Sequence, residues 1–544
     1  EGEANQTKSF DGGRFLETLK SGASWDLIVI GGGATGLGVA VDAASRGYKT
    51  LLLEQSDFAK GTSSRSTKLV VGGVRYLAQG DVSLVFEALK ERGYLLRNAP
   101  HVVKKQSFII PCFDWQSEWK YLIGLKMYDW MAGRFRLGQS VYLSRQKVLE
   151  ALPGLDARGL KGGVEYFDGQ FDDARLAVNL AQTAAEQGGV LLNYFKVKGL
   201  LKDAAGMIGG VTAVDLETDT EYQLYSRAVD NATGIFVDDV LNLDIPARKP
   251  LVRPSQGVHL VLDRSFLTGS TALMIPRTSD GRVLFAVPWH EHILVGTTDT
   301  PVDESHAEPR ALKEEIDFIL RTAGKYLASV PGRKDVLSVF AGLRPLAATS
   351  KTNSTKEISR SHKLLVSRSG LVTITGGKWT TYRKMAEDVV DRVIRLAGLP
   401  EVSCRTTGLK IHGHEGSAPA ESLLAIYGSD EDEIRLLIAR HPELGERLHP
   451  RMPYLQAEVV WAVRNEMART VEDVLSRRLR ALFLDARAAI DMAPQVATIM
   501  ARELQAGKDW EADQIAAFEG VAKHYLLEPY PVKSLISSGS QFLT

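Results

Sequence analysis

The run Trp25-Asp26-Leu27-Ile28-Val29-Ile30-Gly31-Gly32-Gly33-Ala34-Thr35-Gly36 constrains this chain more than any other part of it. Residues 25–30 have the branched, uninterrupted apolar character of a strand covered on both faces. Glycines at 31, 33 and 36 follow at once. A helical pattern then runs through Val39, Ala40, Ala43 and Ala44 to a stop at Gly47, and a second strand over 49–53 ends in Glu54. Together these make the opening unit of a Rossmann-like parallel sheet. Gly31 permits the tight turn, Gly33 lets a phosphate approach the backbone, and Gly36 lets the helix pack on the strand. The helix N-terminus offers N–H groups to the pyrophosphate of a dinucleotide, and Glu54 is placed to accept hydrogen bonds from its ribose.

What comes next points to FAD rather than NAD. Residues 61–68 (GTSSRSTK) are dense in hydroxyls and backbone donors, and they follow Glu54 closely enough to continue along the same dinucleotide. Thr62, Ser63, Ser64, Thr67, Lys68 and Leu69 are the expected contacts there. A later strand ends in Val229-Asp230-Asn231-Ala232-Thr233-Gly234, the Ala-Thr-Gly turn that flavoproteins place near the cofactor. A third strand over 370–375 is followed by Gly376-Gly377-Lys378, expected to open a helix through Arg395. Gly377, Lys378 and Thr380 would set a helix N-terminus where negative charge builds on a reduced flavin.

The whole chain sets wider bounds. Its 544 residues suffice for two or three domains, and 66 basic residues balance 66 acidic ones, so nothing points to nucleic acid. Cys112 and Cys404 cannot make a disulfide framework and suit a reducing compartment, hence a cytoplasmic location. No run of roughly 18 apolar residues predicts a spanning helix, and residues 1–24 lack the apolar stretch of a signal peptide. His290-x-His292 and His412-x-His414 have the look of metal pairs, but no further ligands accompany them, so no metal is expected.

Five segments carry a family resemblance: GTSSRSTKLVVGGVRYL (61–77), FDDARL (171–176), PWHEHILVGTTDT (288–300), AGLRPL (341–346) and TGGKWTTYRKMAE (375–387). The chain resembles the FAD-dependent glycerol-3-phosphate dehydrogenases and the related α-glycerophosphate oxidases, of the glycine/D-amino-acid oxidase superfamily. It departs at Val71, where the family usually carries histidine, and at Ile235-Phe236, where Pro-Trp is usual. The resemblance implies an α/β fold (α+β over the whole chain) in three parts. These are a discontinuous FAD-binding domain (25–105, 166–249 and 341–398), a capping domain around an antiparallel sheet (106–165 and 250–340), and a helical C-terminal domain (399–544). Strand signals at 257–262, 282–287 and 293–296 fit the cap, and amphipathic helical periodicity over 457–484 and 486–504 fits the third part.

The resemblance also implies oxidation of glycerol 3-phosphate to dihydroxyacetone phosphate. It nominates Arg75, Arg344, Arg360 and Lys378 to hold the phosphate dianion, and adds Val197 to the cofactor contacts. Gly342-Leu343-Arg344-Pro345 sets Arg344 in a rigid turn among apolar residues. Tyr76 is read either as a hydrogen-bond donor to substrate or as packing. His259 is read either as reaching the substrate or as a core histidine. With Val71 in place of the usual histidine, the general base is left among an arginine-held hydroxyl, His259 and water; Arg344, His259 and Lys378 form the catalytic set. A quinone is the expected electron acceptor, dioxygen the alternative. Another small hydroxy or amino acid, or a flavoprotein without catalysis, are the competing readings. Trp115, Trp119, Tyr121, Tyr128 and Trp130 lie among basic residues within 113–136, which suits peripheral attachment to the inner face of the cytoplasmic membrane; the alternative is a capping helix packed on the core. A homodimer is left open.

Overall fold

The computed structural model describes residues 8–78, 80–278, 281–347, 362–415 and 422–528. Its first sheet runs in the order His362–Val366, Leu371–Gly376, Thr220–Asn231, Trp25–Ile30, Thr50–Leu53, Val190–Leu192. Every pairing from Leu371–Gly376 to Val190–Leu192 is parallel; the edge strand His362–Val366 pairs antiparallel, as does Ile208–Asp215, which joins Thr220–Asn231 off this path and carries Phe195–Lys202 antiparallel on its other side. Leu27 to Ile30 are buried on both faces, as an unbroken apolar run requires. The helix Ala34–Ser45 lies almost wholly inside, against Asp173–Glu186 and Tyr382–Ala397. Small side chains allow this: a Cβ on Gly38 would come 2.8 Å from the Tyr382 ring.

The second sheet is larger and mostly antiparallel. Its order is Thr300–Pro301, Val252–Asp263, His292–Gly296, Leu284–Trp289, Ala272–Ile275, Val103–Cys112, Gly162–Phe171, Leu69–Val70. Two of the three strand signals in the expected cap fall within strands here, and the one expected over 282–287 runs from Leu284 to Trp289. The expected domain limits, however, cut through ladders. Ser338–Ala347 pairs with Val252–Asp263 without a break from Val252↔Ala347 to Val261↔Ser338, so residues 341–347 belong to this sheet. Residues 103–105 and 166–171 belong to it for the same reason, since Val103–Cys112 pairs with all of Gly162–Phe171.

The C-terminal region packs the helices Gln456–Asn465, Ala486–Leu504 and Lys508–Ala522 on this second sheet, sharing one apolar cluster with Val261, Trp289, Leu294 and Phe340. The expected continuous helical periodicity over 457–484 is not one helix. It stops at Asn465, resumes as a π-helical turn at Asp473–Arg478, and ends in the short helix Ala481–Leu484. Buried charge is the reason. Arg477 and Arg478 both ion-pair with Asp57, at 2.6 and 2.8 Å, and Arg480 reaches Asp173 at 2.6 Å, all essentially without solvent. Turning three arginines inward toward one wall is incompatible with a helix that presents its charges outward. Residues 399–411 depart as well: they adhere to the first domain, where Tyr48 donates to the Pro400 carbonyl at 2.5 Å and Asn98 to that of Thr407 at 3.0 Å.

Candidate active site

Between the two sheets lies a cavity of about 1340 Å³. One end is the glycine turn. Gly31 has φ +111°, and a Cβ there would stand 2.4 Å from the Ala232 carbonyl oxygen. A Cβ on Gly36 would fall 1.9 Å from the oxygen of Gly31, so the helix can close on the strand only with glycine at that position. Gly36 does this from behind the cavity wall rather than in it. Gly33 is the N-cap of the helix Ala34–Ser45, and Ser63 Oγ accepts from the Ala34 amide at 2.8 Å. Beyond it, the two Glu54 oxygens accept from the amides of Gly32 (2.9 Å) and Ser56 (2.6 Å), while burial pushes the carboxyl's pKa up. Each oxygen keeps a second acceptor position, the capacity a ribose diol needs. Val197 closes the wall nearby.

Thr62, Ser63, Thr67 and Leu69 continue the lining, as do Ala232, Thr233 and Gly234 opposite. Ser64 and Lys68 do not line it. The Lys68 ammonium points away, 2.7 Å from both the Asp173 carboxylate and the Ser64 carbonyl, and it lies 5.1–5.4 Å from the ring centres of Trp289, Phe340 and Phe483. Burial outweighs the pull of Asp173 and lowers its pKa to about 7. Lys68 therefore fastens the strap that carries the contacts instead of being one. Gly376 and Gly377, at φ +77° and +74°, swing the chain back to the cavity. The turn Trp379–Thr381 follows before the helix Tyr382–Ala397, so Lys378 precedes the helix instead of starting it. Gly377, Lys378 and Thr380 all line the cavity, and the Trp379 indole donates to the Ser63 carbonyl at 2.9 Å, joining this turn to the strap.

These features fit a flavin dinucleotide: a long enclosed cleft, a helix N-terminus behind close-approach glycines, a diol acceptor, and glycine turns at the far end. Arg75, Tyr76, His259, Arg344 and Lys378 all line this cavity. Lys378 Nζ stands 3.9 Å from the centre of the Tyr76 ring. Arg344 donates to the Thr298 carbonyl at 3.1 Å and lies 3.8 Å from Asp299. Its guanidinium occupies space that a side chain at Gly257 would take, since a Cβ there would meet Nη2 at 2.5 Å. His259 shares a hydrogen bond with Thr67 Oγ1 (2.9 Å) and stacks on Phe340 at 5.0 Å. Burial, then the charges of Lys68 and Arg344, lower its pKa to about 3, so it is a neutral imidazole at ordinary pH. Arg360 lies outside the described residues.

The structure adds residues that sequence reasoning missed. Asp168 and Arg282 also line the cavity; both sit in strand or turn sequence with no motif to single them out. Of the histidine pairs, His290 bonds Asp172 at 2.8 Å, and His412 bridges Glu186 and Asp430. Among the described residues no group of three or more potential metal ligands is assembled.

Comparison with known proteins now bears on this geometry. Residues 26–383 match the family described as FAD dependent oxidoreductase. The chain belongs to the FAD-dependent oxidoreductases. Residues 369–514 match the C-terminal domain of alpha-glycerophosphate oxidase. The chain is 40% identical over 523 residues to the mitochondrial glycerol-3-phosphate dehydrogenase of Mus musculus, covering 90% of this chain and 72% of the relative. It is 41% identical over 521 residues to the probable mitochondrial glycerol-3-phosphate dehydrogenase of Caenorhabditis elegans, with the same coverage. Among solved structures, the glycerol-3-phosphate dehydrogenase of Bacillus halodurans complexed with FAD superposes with a TM-score of 0.79 at 31% identity, covering 96% of this chain and 100% of that one. This FAD-dependent oxidoreductase thus has the three-part α/β architecture expected from its sequence, and FAD as its cofactor.

Proposed function

We propose that the chain oxidises sn-glycerol 3-phosphate to dihydroxyacetone phosphate and delivers the electrons to a quinone at a membrane surface. One observation carries the substrate reading: Arg75, Arg344 and Lys378, from three distant segments, line the same cavity as His259. A phosphate monoester brings about two negative charges, and such a set of cations is the match for it. FAD, when bound, supplies the acceptor for the hydride leaving the carbinol carbon. Arg344, fixed by the Thr298 carbonyl, presents a planar fork to the phosphate, and Lys378 adds a point charge. Cations close to the carbinol oxygen also favour its deprotonated form. Neutral His259, tied to Thr67 at Nε2, orients that hydroxyl without adding a charge.

The acceptor reading rests on the helix Trp115–Ala132. Its Leu125, Tyr128 and Met131 are buried, while Trp115, Trp119, Ile123, Met127 and Trp130 are 50–76% exposed. The second set recurs every three or four residues and so forms one outward face. One face of the helix packs on the core and the other is exposed, the side on which a membrane contact is proposed. Lys120 and Lys126 lie on the same helix and Arg134 and Arg136 just after it, a pairing with tryptophan that suits an anionic bilayer. Val82 and Phe86 of the helix Val82–Asn98, which packs against this one, are exposed as well, and its Asp81 cap and Leu84 line the cavity. A lipid-soluble acceptor would therefore meet the site from the bilayer side. Among the described residues no helix is long and apolar enough to cross a membrane.

The test is anaerobic mixing. Glycerol 3-phosphate should bleach the flavin, glycerol should not, and a quinone in anionic vesicles should restore the colour faster than dioxygen does. Bleaching by an amino acid at equal speed would refute the substrate reading. Rapid peroxide formation without quinone would refute the acceptor.

A further inference from the structure

Behind the substrate end, three polar side chains are buried together on no motif of the sequence. Asp168 lies on the strand Gly162–Phe171, Arg92 on the helix Val82–Asn98 and Tyr128 on the helix Trp115–Ala132, each no more than 2% exposed. Arg92 donates to Asp168 Oδ1 at 2.7 Å, and the Tyr128 hydroxyl stands 3.1 and 3.0 Å from Oδ1 and Oδ2. Arg92 also donates to the Phe135 carbonyl at 3.2 Å. The third partner of Asp168 is backbone: the Gly72 amide donates to Oδ1 at 3.1 Å.

Gly72 opens the turn that delivers Arg75 and Tyr76. The turn is tight on both sides. A Cβ on Gly72 would come 2.3 Å from the Tyr128 hydroxyl and from Leu89, so the backbone is pressed onto the cluster. Gly73, at φ +80°, then reverses the chain, and a Cβ there would meet the Tyr76 ring at 2.6 Å and Lys378 Nζ at 3.4 Å. The short helix Val74–Ala78 that follows packs on both long helices. On electrostatics alone a carboxylate lining a cavity for a phosphate is adverse. Arg92 offsets the charge, and what Asp168 supplies in return is an anchor for one backbone amide and one tyrosine hydroxyl.

We infer that Asp168 is the positioning residue of the substrate-side turn: with Tyr128 and Arg92 as struts, it fixes the Gly72 amide and thereby the placement of Arg75 and Tyr76 in the cavity. The inference rests on the substrate reading above for the identity of the ligand. It predicts that damage to the cluster appears in substrate affinity, through Arg75 and Tyr76, and leaves the cofactor in place.

Purified holoenzyme in four forms tests it: wild type, Asp168→Asn, Arg75→Ala and the double variant, with Tyr128→Phe as a gentler probe that removes one hydroxyl and no volume. Asp168→Asn should raise KM for glycerol 3-phosphate about 10-fold and weaken binding of dihydroxyacetone phosphate to the oxidised protein in proportion. kcat should stay within about 3-fold and flavin content near wild type, while the melting temperature should fall by a few degrees because Arg92 loses its buried counter-charge. Tyr128→Phe should move KM the same way by about 3-fold. In the Arg75→Ala background both effects should shrink to less than 2-fold, because the group they position is gone. KM effects that multiply in full across the two sites would overturn the inference, as would a fall in kcat alone. If Asp168→Asn does not fold, Tyr128→Phe with and without Arg75→Ala decides the matter by the same criterion. Wild-type bleaching by glycerol 3-phosphate reports separately on the substrate reading.

Discussion

Asp230 is a buried acid with no cation to neutralise it among the described residues. It lies in the middle of the parallel sheet, in register with Val29 on one side and Val372 on the other. It is 0% exposed, and neither carboxyl oxygen finds a hydrogen-bond partner among the described residues. Burial pushes its pKa from 3.8 up to about 8. The unfolded chain releases the proton near pH 4 and the folded chain keeps it to about pH 8, so between these limits the folded state binds one proton more. Stability is therefore fully present below about pH 4 and falls as pH rises to about 8, by about 1.4 kcal/mol per unit. At pH 7 the accumulated loss is about 4 kcal/mol. Asp230→Val replaces the acid with a branched residue of similar size that suits this strand, and should recover most of it. With an unfolding entropy of about 2.1 cal/mol/K per residue, 544 residues convert that into a rise of about 3–4 °C if the chain melts as one unit. If the first domain melts alone, the rise is larger. The assay is the apparent melting temperature of wild type and variant at one scan rate, at pH 5, 6, 7 and 8. The gap should be small at pH 5 and widest at pH 8. A gap independent of pH, or a variant that melts lower at pH 8, would refute the reasoning.

Other expectations follow from the site. Gly33→Val sets a Cβ 3.0 Å from Ser63 Oγ on the phosphate side of the turn; the protein should fold, by circular dichroism, but purify colourless. Arg344→Ala should lower kcat/KM for glycerol 3-phosphate by about 10- to 100-fold, since a charge-assisted hydrogen bond contributes roughly 1.5–3 kcal/mol. Arg344→Lys should recover only part of this, flavin content should not change, and slow turnover of glycerol should be indifferent to both. Replacing Trp119 and Trp130, 64% and 76% exposed, with glutamate should abolish co-sedimentation with anionic vesicles. Turnover with a soluble dye should persist; unchanged sedimentation would remove this face as the membrane contact.

What the sequence disclosed, and what it hid, divides along physical lines. The glycine turn was legible because steric exclusion is local: the 1.9 Å approach at Gly36 is a property of a few neighbouring residues. The cap strands were legible from alternation. Arg344, expected in a rigid turn, lies instead within the strand Ser338–Ala347, and it and Lys378, both nominated by the resemblance, line the cavity. Asp57, Asp168, Arg477 and Arg478 were not, because a buried ion pair looks in sequence like any surface charge until its partner is known. FDDARL carried the resemblance, yet its tasks appear only in three dimensions: Asp172 caps the helix and holds His290, while Asp173 holds Ser66, Lys68 and Arg480. Lys68 was misread for the same reason. Its neighbours Ser63 and Thr67 face the cavity, and nothing local reports that the intervening backbone turns its ammonium to the other side.

The pairing of Asp57 with Arg477 and Arg478 spans 420 residues of chain. At a synthesis rate of roughly 5–20 residues per second, Asp57 leaves the ribosome about 20–80 s before its partners do. Through that interval Asp57 lacks both arginines that pair with it, and Asp172 and Asp173 lack Arg480, so shutting Asp57 into a dry interior would be strongly unfavourable. The wall of the cofactor cleft built from residues 57–68 thus cannot set early, however soon the glycine turn beside it forms. Flavin capture becomes one of the last events in making this enzyme, and a stalled or clipped chain lacking residues near 480 should emerge as apoprotein.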